Sequence, residues 1–258
     1  MSSVPGRKTY SRRSDIPADV LAALNSGELS TATLAEGLAL DFAVLLAAAV
    51  PTLPGEAVER VRASATLGIT KRMELVADLL LAHLKPPALA KLGSHPSDTV
   101  RGWACYAIGR MPKSTLADRL KRIRPLAADP HFGVREWAWI PLRPAIAAEP
   151  TAAVELLLPW STDAEVNVRR YAVEITRPRG VWTAHLVAMK QTPELGLPLL
   201  EANKGDASKY VQDSVANWLN DAGKSRPDWV RGVVARWRKE SAAPATVRVC
   251  TRALRSLD

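Results

Sequence analysis

Asp98-Thr-Val-Arg-Gly-Trp-Ala, His131-Phe-Gly-Val-Arg-Glu-Trp-Ala and Val166-Asn-Val-Arg-Arg-Tyr-Ala are variations on one phrase. Their anchor valines, Val100, Val134 and Val168, stand 34 residues apart, and fainter echoes follow at Val211 and Val247. A period of this size marks a helical solenoid, whose units bury their apolar faces only by stacking on neighbours. In each copy the apolar positions are the anchor and the residues four, seven and eight later: Val100, Ala104, Ala107 and Ile108, then Val211, Val215, Trp218 and Leu219. That spacing is one face of a helix. The repeated helices are expected to begin just after Asp98, His131, Asp163 and Asp206, with partner helices over 116–127, 147–158 and 196–202. Pro141 and Pro144 should end or kink the second copy early.

Outward from the repeats, residues 1–15 are polar and basic (Arg7, Lys8, Arg12, Arg13) and read as a flexible arm. Two helices are expected before Pro51: one over 18–24, the other opened by Thr31 or Thr33 and running through Leu38, Leu40, Phe42 and Leu45. A further pair should span about 55–92, broken near Gly68 and Pro86. The whole of 16–258 reads as a single repeat domain, an all-α helical solenoid with a basic groove. No apolar run is long enough for a membrane span, and the N-terminus has no secretory signal pattern. Cys105 and Cys250 make no metal or disulfide motif and read as buried thiols in a reducing cytoplasm.

The 258 residues carry 35 basic and 26 acidic side chains, a formal net charge of +9. Such a balance suits a polyanion, because neutralising phosphates releases counterions. Arg101, Arg135 and Arg169 follow their anchors directly. Arg110, Arg143 and Arg177 sit near helix ends, with Arg179 just beyond.

Three acids depart from the repeat. Glu136, Glu174 and Asp221 lie two, six and ten positions after their anchors, so they project from nearly one side of their helices, opposite the core. Equivalent positions elsewhere hold Gly102, Arg170 and Arg110, so acidity does not belong to the repeat. By spacing alone, solvated or salt-bridged carboxylates are the commoner explanation. Acid within a basic groove otherwise suits a cation: an alkylated base, or the oxocarbenium-like sugar its departure leaves. Trp182, outside the core periodicity, is the better candidate for stacking on a sugar or base; Trp139 is open between contact and core, and Trp137 reads as core. The four histidines have no metal-ligand spacing, His131 reads as a helix-start residue, and phosphate-loop, GxSxG and GxGxxG motifs are absent.

These residues resemble the HEAT-like-repeat DNA alkylation repair glycosylases, the AlkC branch related to AlkD. The resemblance runs from Ile16-Pro through Leu24-Asn-Ser-Gly-Glu-Leu-Ser-Thr to about Lys239. Its most specific stretches are Asp129-Pro-His-Phe-Gly-Val-Arg-Glu-Trp-Ala-Trp, Val168-Arg-Arg-Tyr-Ala-Val-Glu with Thr176-Arg-Pro-Arg, and Val215-Ala-Asn-Trp-Leu-Asn-Asp. It implies a right-handed α-solenoid of HEAT-like repeats with a concave basic groove. As activity it implies a monofunctional glycosylase that excises cationic N-alkylated bases (3-methyladenine or 3-methylcytosine type) from double-stranded DNA without base flipping. It also implies a cofactor-free, metal-free monomer in the bacterial cytosol, associated with the nucleoid. Glu136, Glu174, Asp221 and a sugar-facing Trp182 would be catalytic. DNA would be held by Arg101, Arg110, Arg135, Arg143, Arg169, Arg170, Arg177, Arg179 and Trp139. Many AlkC-like proteins carry an immunoglobulin-like domain after the repeats, and a chain ending at Asp258 leaves no room for one. Gln212 departs from the basic residue expected after the anchor, and Gly223 from a more usual polar residue. The alternatives are a non-catalytic HEAT-repeat module binding damaged or distorted DNA, and a scaffold for another protein.

Overall fold

The computed structural model describes residues 7–257, which form helices, short 3₁₀ turns and loops; no strand occurs among them. They divide into two compact units, one of residues 7–114 with Asp129–Pro141, the other of Thr115–Ala128 with residues 142–257.

In the first unit the helices Ile69–His83, Asp98–Arg110 and Phe132–Trp139 pack in series. Val100, Ala104 and Ala107 are buried, as the repeat requires, while Ile108 is half-buried. Trp103 fills the space between Asp98–Arg110 and the N-terminal helices, edge-on to Phe42 at 5.5 Å. Ahead of them, Thr33 caps Leu34–Ala39 and Asp41 caps a separate helix Phe42–Ala49, its carboxylate accepting from the amides of Ala43 and Val44. The expected single helix through Leu38 and Leu45 is therefore two, because Asp41 offers the chain a new start. Of the basic segment 1–15, residues 1–6 lie outside the described residues. From Arg7 onward it is tied to this unit: Arg7 donates to the Ser30 carbonyl and the buried Glu36 carboxylate, each at 2.8 Å, and Thr33 donates to the Tyr10 carbonyl.

In the second unit Val166–Glu174 packs on Lys209–Gly223, which packs on Pro227–Glu240 and Pro244–Ala253. Leu116–Ala127 opens the unit with a capping box between Thr115 and Asp118. The helix expected over 147–158 is split into Arg143–Ala148 and Pro150–Leu157, since Pro150 starts a helix better than it continues one. Val211, Val215, Trp218 and Leu219 are fully buried. The last echo is shifted by one residue: Val247 is 43% exposed, and Thr246, Val249, Cys250 and Ala253 form the inward stripe.

The turns before the repeated helices explain the phrase itself. His131 caps Phe132–Trp139 by accepting from the Gly133 amide. Asp163 and Asp206 stand earlier than caps. Each accepts from the amide two residues on, Glu165 and Ser208, and those residues cap the helices. The residue after each anchor reaches back to the turn's carbonyls. Arg101 donates to His95 and Pro96, Arg135 to Asp129 and Pro130, Arg169 to Asp163 and Ala164, and Gln212 to Asp206. Turn carbonyls left without partners would be costly, and a side chain with donors at this position satisfies them. Gln212 thus keeps the backbone contact of the arginine it replaces. Gly223 also has a packing reason, since a Cβ there would lie 2.5 Å from a Leu257 methyl.

Candidate active site

Glu174 is the last residue of Val166–Glu174, and Asp221 lies near the end of Lys209–Gly223. Packing these helices side by side brings their ends together, and Arg177, three residues past Glu174, occupies the join. Its Nη1 donates to Glu174 Oε1 at 2.6 Å, while Nε and Nη2 donate to Asp221 Oδ2 at 3.0 and 2.8 Å. The planar guanidinium is suited to this, because its donors point along two edges. Glu174 Oε2 accepts from Ser214 at 2.7 Å, and Ser214 in turn accepts from Arg170 Nε. Lys224 stands 3.7 Å from Asp221 Oδ1.

The two acids were expected on open surface, yet Glu174 is 4% and Asp221 6% exposed. The guanidinium that neutralises them also covers them. Burial alone would raise the Glu174 carboxyl. The charges of Arg170 and Arg177 and the hydrogen bonds from Ser214 and Arg177 outweigh it, holding the group below the usual glutamate range. Burial pulls the Arg177 guanidinium down, but Glu174 and Asp221 outweigh that and leave it raised. Arg177 holds the two acids in one fixed array.

Beyond Arg177 the chain makes a turn to Leu186, whose amide closes onto the Pro178 carbonyl at 3.0 Å. Trp182 lies in this turn with φ of +65° and is 56% exposed. A tryptophan held in left-handed backbone is strained, and the surrounding turn has to impose it. Val181 beside it is exposed as well.

Glu136 lies in the first unit, half-buried on Phe132–Trp139, where it accepts from the Trp139 indole N–H at 3.1 Å. Trp139 is 3% exposed, so it is a buried partner of Glu136 and has no face to offer DNA. Trp137 packs edge-on against Tyr106.

The arginines proposed for DNA sort by partner. Arg143 is 1% exposed, which removes it as a phosphate contact; its guanidinium serves the backbone of the turn. Arg101 and Arg169 pair bidentately with Asp129 and Asp206 besides their carbonyl bonds, and Arg135 is buried on its turn. Arg170 is buried, stacked over the Tyr210 ring at 4.6 Å, 3.5 Å from Glu174 Oε2. Arg110 forms an exposed pair with Asp78, and Arg179 donates to the Asp221 carbonyl and to Ser225 from a half-exposed position. Sequence reasoning missed Ser214, although it lies seven residues before Asp221 and so on the same helix face.

A family model described as DNA alkylation repair enzyme matches residues 136–254, a span that begins at Glu136 and includes Glu174 and Asp221. The chain is 36% identical over 122 residues to the Bacillus subtilis (strain 168) protein YhaZ, described as uncharacterized, the alignment covering 47% of this chain and 33% of that protein. Among solved structures it is similar to the Pseudomonas fluorescens alkylpurine DNA glycosylase AlkC bound to DNA containing an abasic site analog. The TM-score is 0.68 at 28% identity, over 83% of this chain and 60% of that one. Streptococcus mutans AlkD2 shares the fold, with TM-score 0.61 at 21% identity over 79% of this chain and 98% of that one. The chain thus spans a third of YhaZ's length and 60% of the AlkC chain. In sequence and in its all-helical repeat fold, the chain resembles the AlkC/AlkD superfamily of DNA alkylation repair proteins.

Proposed function

We propose that the protein is a DNA glycosylase that hydrolyses the N-glycosidic bond of cationic N-alkylated bases in duplex DNA. The observation that carries this is the pair Glu174 and Asp221, fixed on the guanidinium of Arg177, from which the chain leads into the turn that carries an exposed, strained Trp182. Loss of a cationic base breaks the C1′–N bond, the electron pair leaving with a base that becomes neutral. An oxocarbenium-like sugar remains. Fixed carboxylates stabilise that charge, and a water oriented by one of them adds at C1′, giving up a proton to leave an abasic site. Trp182 stacks on the deoxyribose. Base and sugar are met in a basic groove without extruding the base into a pocket, and the enzyme acts as a monomer without a cofactor. Arg179 and Arg110 are the arginines best placed for phosphates.

One observation favours a second reading, a non-catalytic module for distorted DNA. Both acids are buried and saturated by Arg177, as in a structural ion-pair network. Incubation with duplexes carrying 3-methyladenine, 3-methylcytosine or 7-methylguanine, with free base measured, separates the two. Release above the uncatalysed rate supports the enzyme. Salt-sensitive binding without release of any of the three supports the module.

A further inference from the structure

Arg143 is among the largest fully buried side chains, and its donors converge on one short piece of chain. Nη1 donates to the carbonyls of Ile175 at 3.0 Å and Arg177 at 2.9 Å, and Nη2 to that of Ala184 at 3.1 Å. Ile175 ends the helix Val166–Glu174, and the other two carbonyls belong to the turn that carries Arg177 at one end and Trp182 at its exposed part. Gly180 lies on the guanidinium itself: a Cβ there would stand 3.1 Å from both Cζ and Nε of Arg143, and 2.4 Å from the Thr183 methyl. The turn is wrapped around a cation. Burial, and then the charge of Arg177, draw that cation's pKa down to about 10, while Glu174 and Asp221 favour the charged form. A lysine offers one nitrogen where the guanidinium's two spread to opposite sides of the turn.

Resting on the glycosylase reading, we infer that Arg143 is a positioning residue of the site. It shapes the turn that holds Trp182 in its left-handed conformation, and it fixes the backbone of Arg177, whose side chain bridges Glu174 and Asp221. Arg143 acts through Arg177 and Trp182, by way of the backbone it holds.

The test compares the full chain with Arg143→Lys, Gly180→Ala and the double variant. Gly180→Ala disturbs the same contact from the other side and keeps Arg143, so it covers the case in which a substitution at Arg143 does not fold. Trypsin reads the turn directly, because Arg179–Gly180 is a cleavable bond inside it, whereas Arg177 precedes proline. Each single variant should raise cleavage at Arg179–Gly180. Each should also lower the single-turnover release of 3-methyladenine at saturating protein by about ten-fold or more, as a misplaced reacting group does. Affinity for duplex holding an abasic-site analogue should stay within about two-fold, a split that mere unfolding does not produce. The double variant should be little worse than the worse single one, since both break one contact. Unchanged cleavage at Arg179–Gly180 in both single variants overturns the inference, as does a rate loss matched by an equal loss of binding. If the unmodified protein releases no base, the glycosylase reading fails on its own. Cleavage of the turn then still decides whether Arg143 holds it.

Discussion

Arg177 grips Asp221 through two nitrogens on one carboxylate oxygen, Oδ2, at 3.0 and 2.8 Å, while its remaining nitrogen holds Glu174. A single cation therefore fixes both acids in a buried place.

Removing that cation should unbalance the pair. Arg177→Met leaves two buried carboxylates short of a partner, and the expected loss of stability is about 3–5 kcal/mol by chemical denaturation at neutral pH. Glu174 has a lowered folded pKa, so its contribution is complete above the unfolded value of about 4.3 and fades as pH falls through the folded one. In the variant the folded pKa rises, and the acid limb of the stability–pH curve should move to higher pH. A limb that stays in place contradicts the bridge.

The Val-Arg arginines should behave differently from the exposed ones. Arg169 spends its donors on Asp206 and on two turn carbonyls, so Arg169→Met should lower stability by about 2–4 kcal/mol. It should leave the salt dependence of duplex binding as it was. Arg179→Ala should lower the slope of log K against log salt by about one, with a change in stability of about 0.5 kcal/mol or less. Equal slopes for the two variants would remove the distinction drawn between clamp and contact.

Trp182 combines exposure with a positive φ, so it is held for something other than packing. Replacing it with glycine, which accepts that backbone freely, should leave the melting temperature unchanged or raise it, by up to about 1 kcal/mol of stability. Base release should nevertheless fall. A Trp182→Gly protein that is destabilised yet fully active would assign the side chain to structure.

Much of this arrangement was legible in the sequence, and the failures share a cause. The 34-residue spacing located the buried stripes of Asp98–Arg110 and Lys209–Gly223, because helix periodicity alone decides which residues face inward. Proline at 141 and 144 marked the short helix Phe132–Trp139. Trp182 stood out because it lay outside the stripe. What the pattern could not supply was pairing. Arg101, Arg143 and Arg169 were counted as open cations, yet their partners lie in turns and in the next repeat, 28 to 41 residues away or five to six residues back along the chain. Glu174 and Asp221 were expected in the open for the same reason. Periodicity places them off the core stripe, but only the third dimension puts Arg177 over both. Ser214, which donates to Glu174, carries no charge to mark it in the sequence.

The central claim is that Glu174 and Asp221 act on the reacting sugar beyond neutralising Arg177. Glu174→Gln with Asp221→Asn keeps shape and hydrogen-bonding reach while removing both charges, so the decisive measurement is single-turnover release of 3-methyladenine by this double variant and the unmodified protein. Binding to duplex holding an abasic-site analogue is measured alongside. The account predicts release reduced by about a hundred-fold or more, the scale of losing preorganised electrostatic stabilisation, with binding retained. Release by the double variant at the rate of the unmodified protein would contradict it.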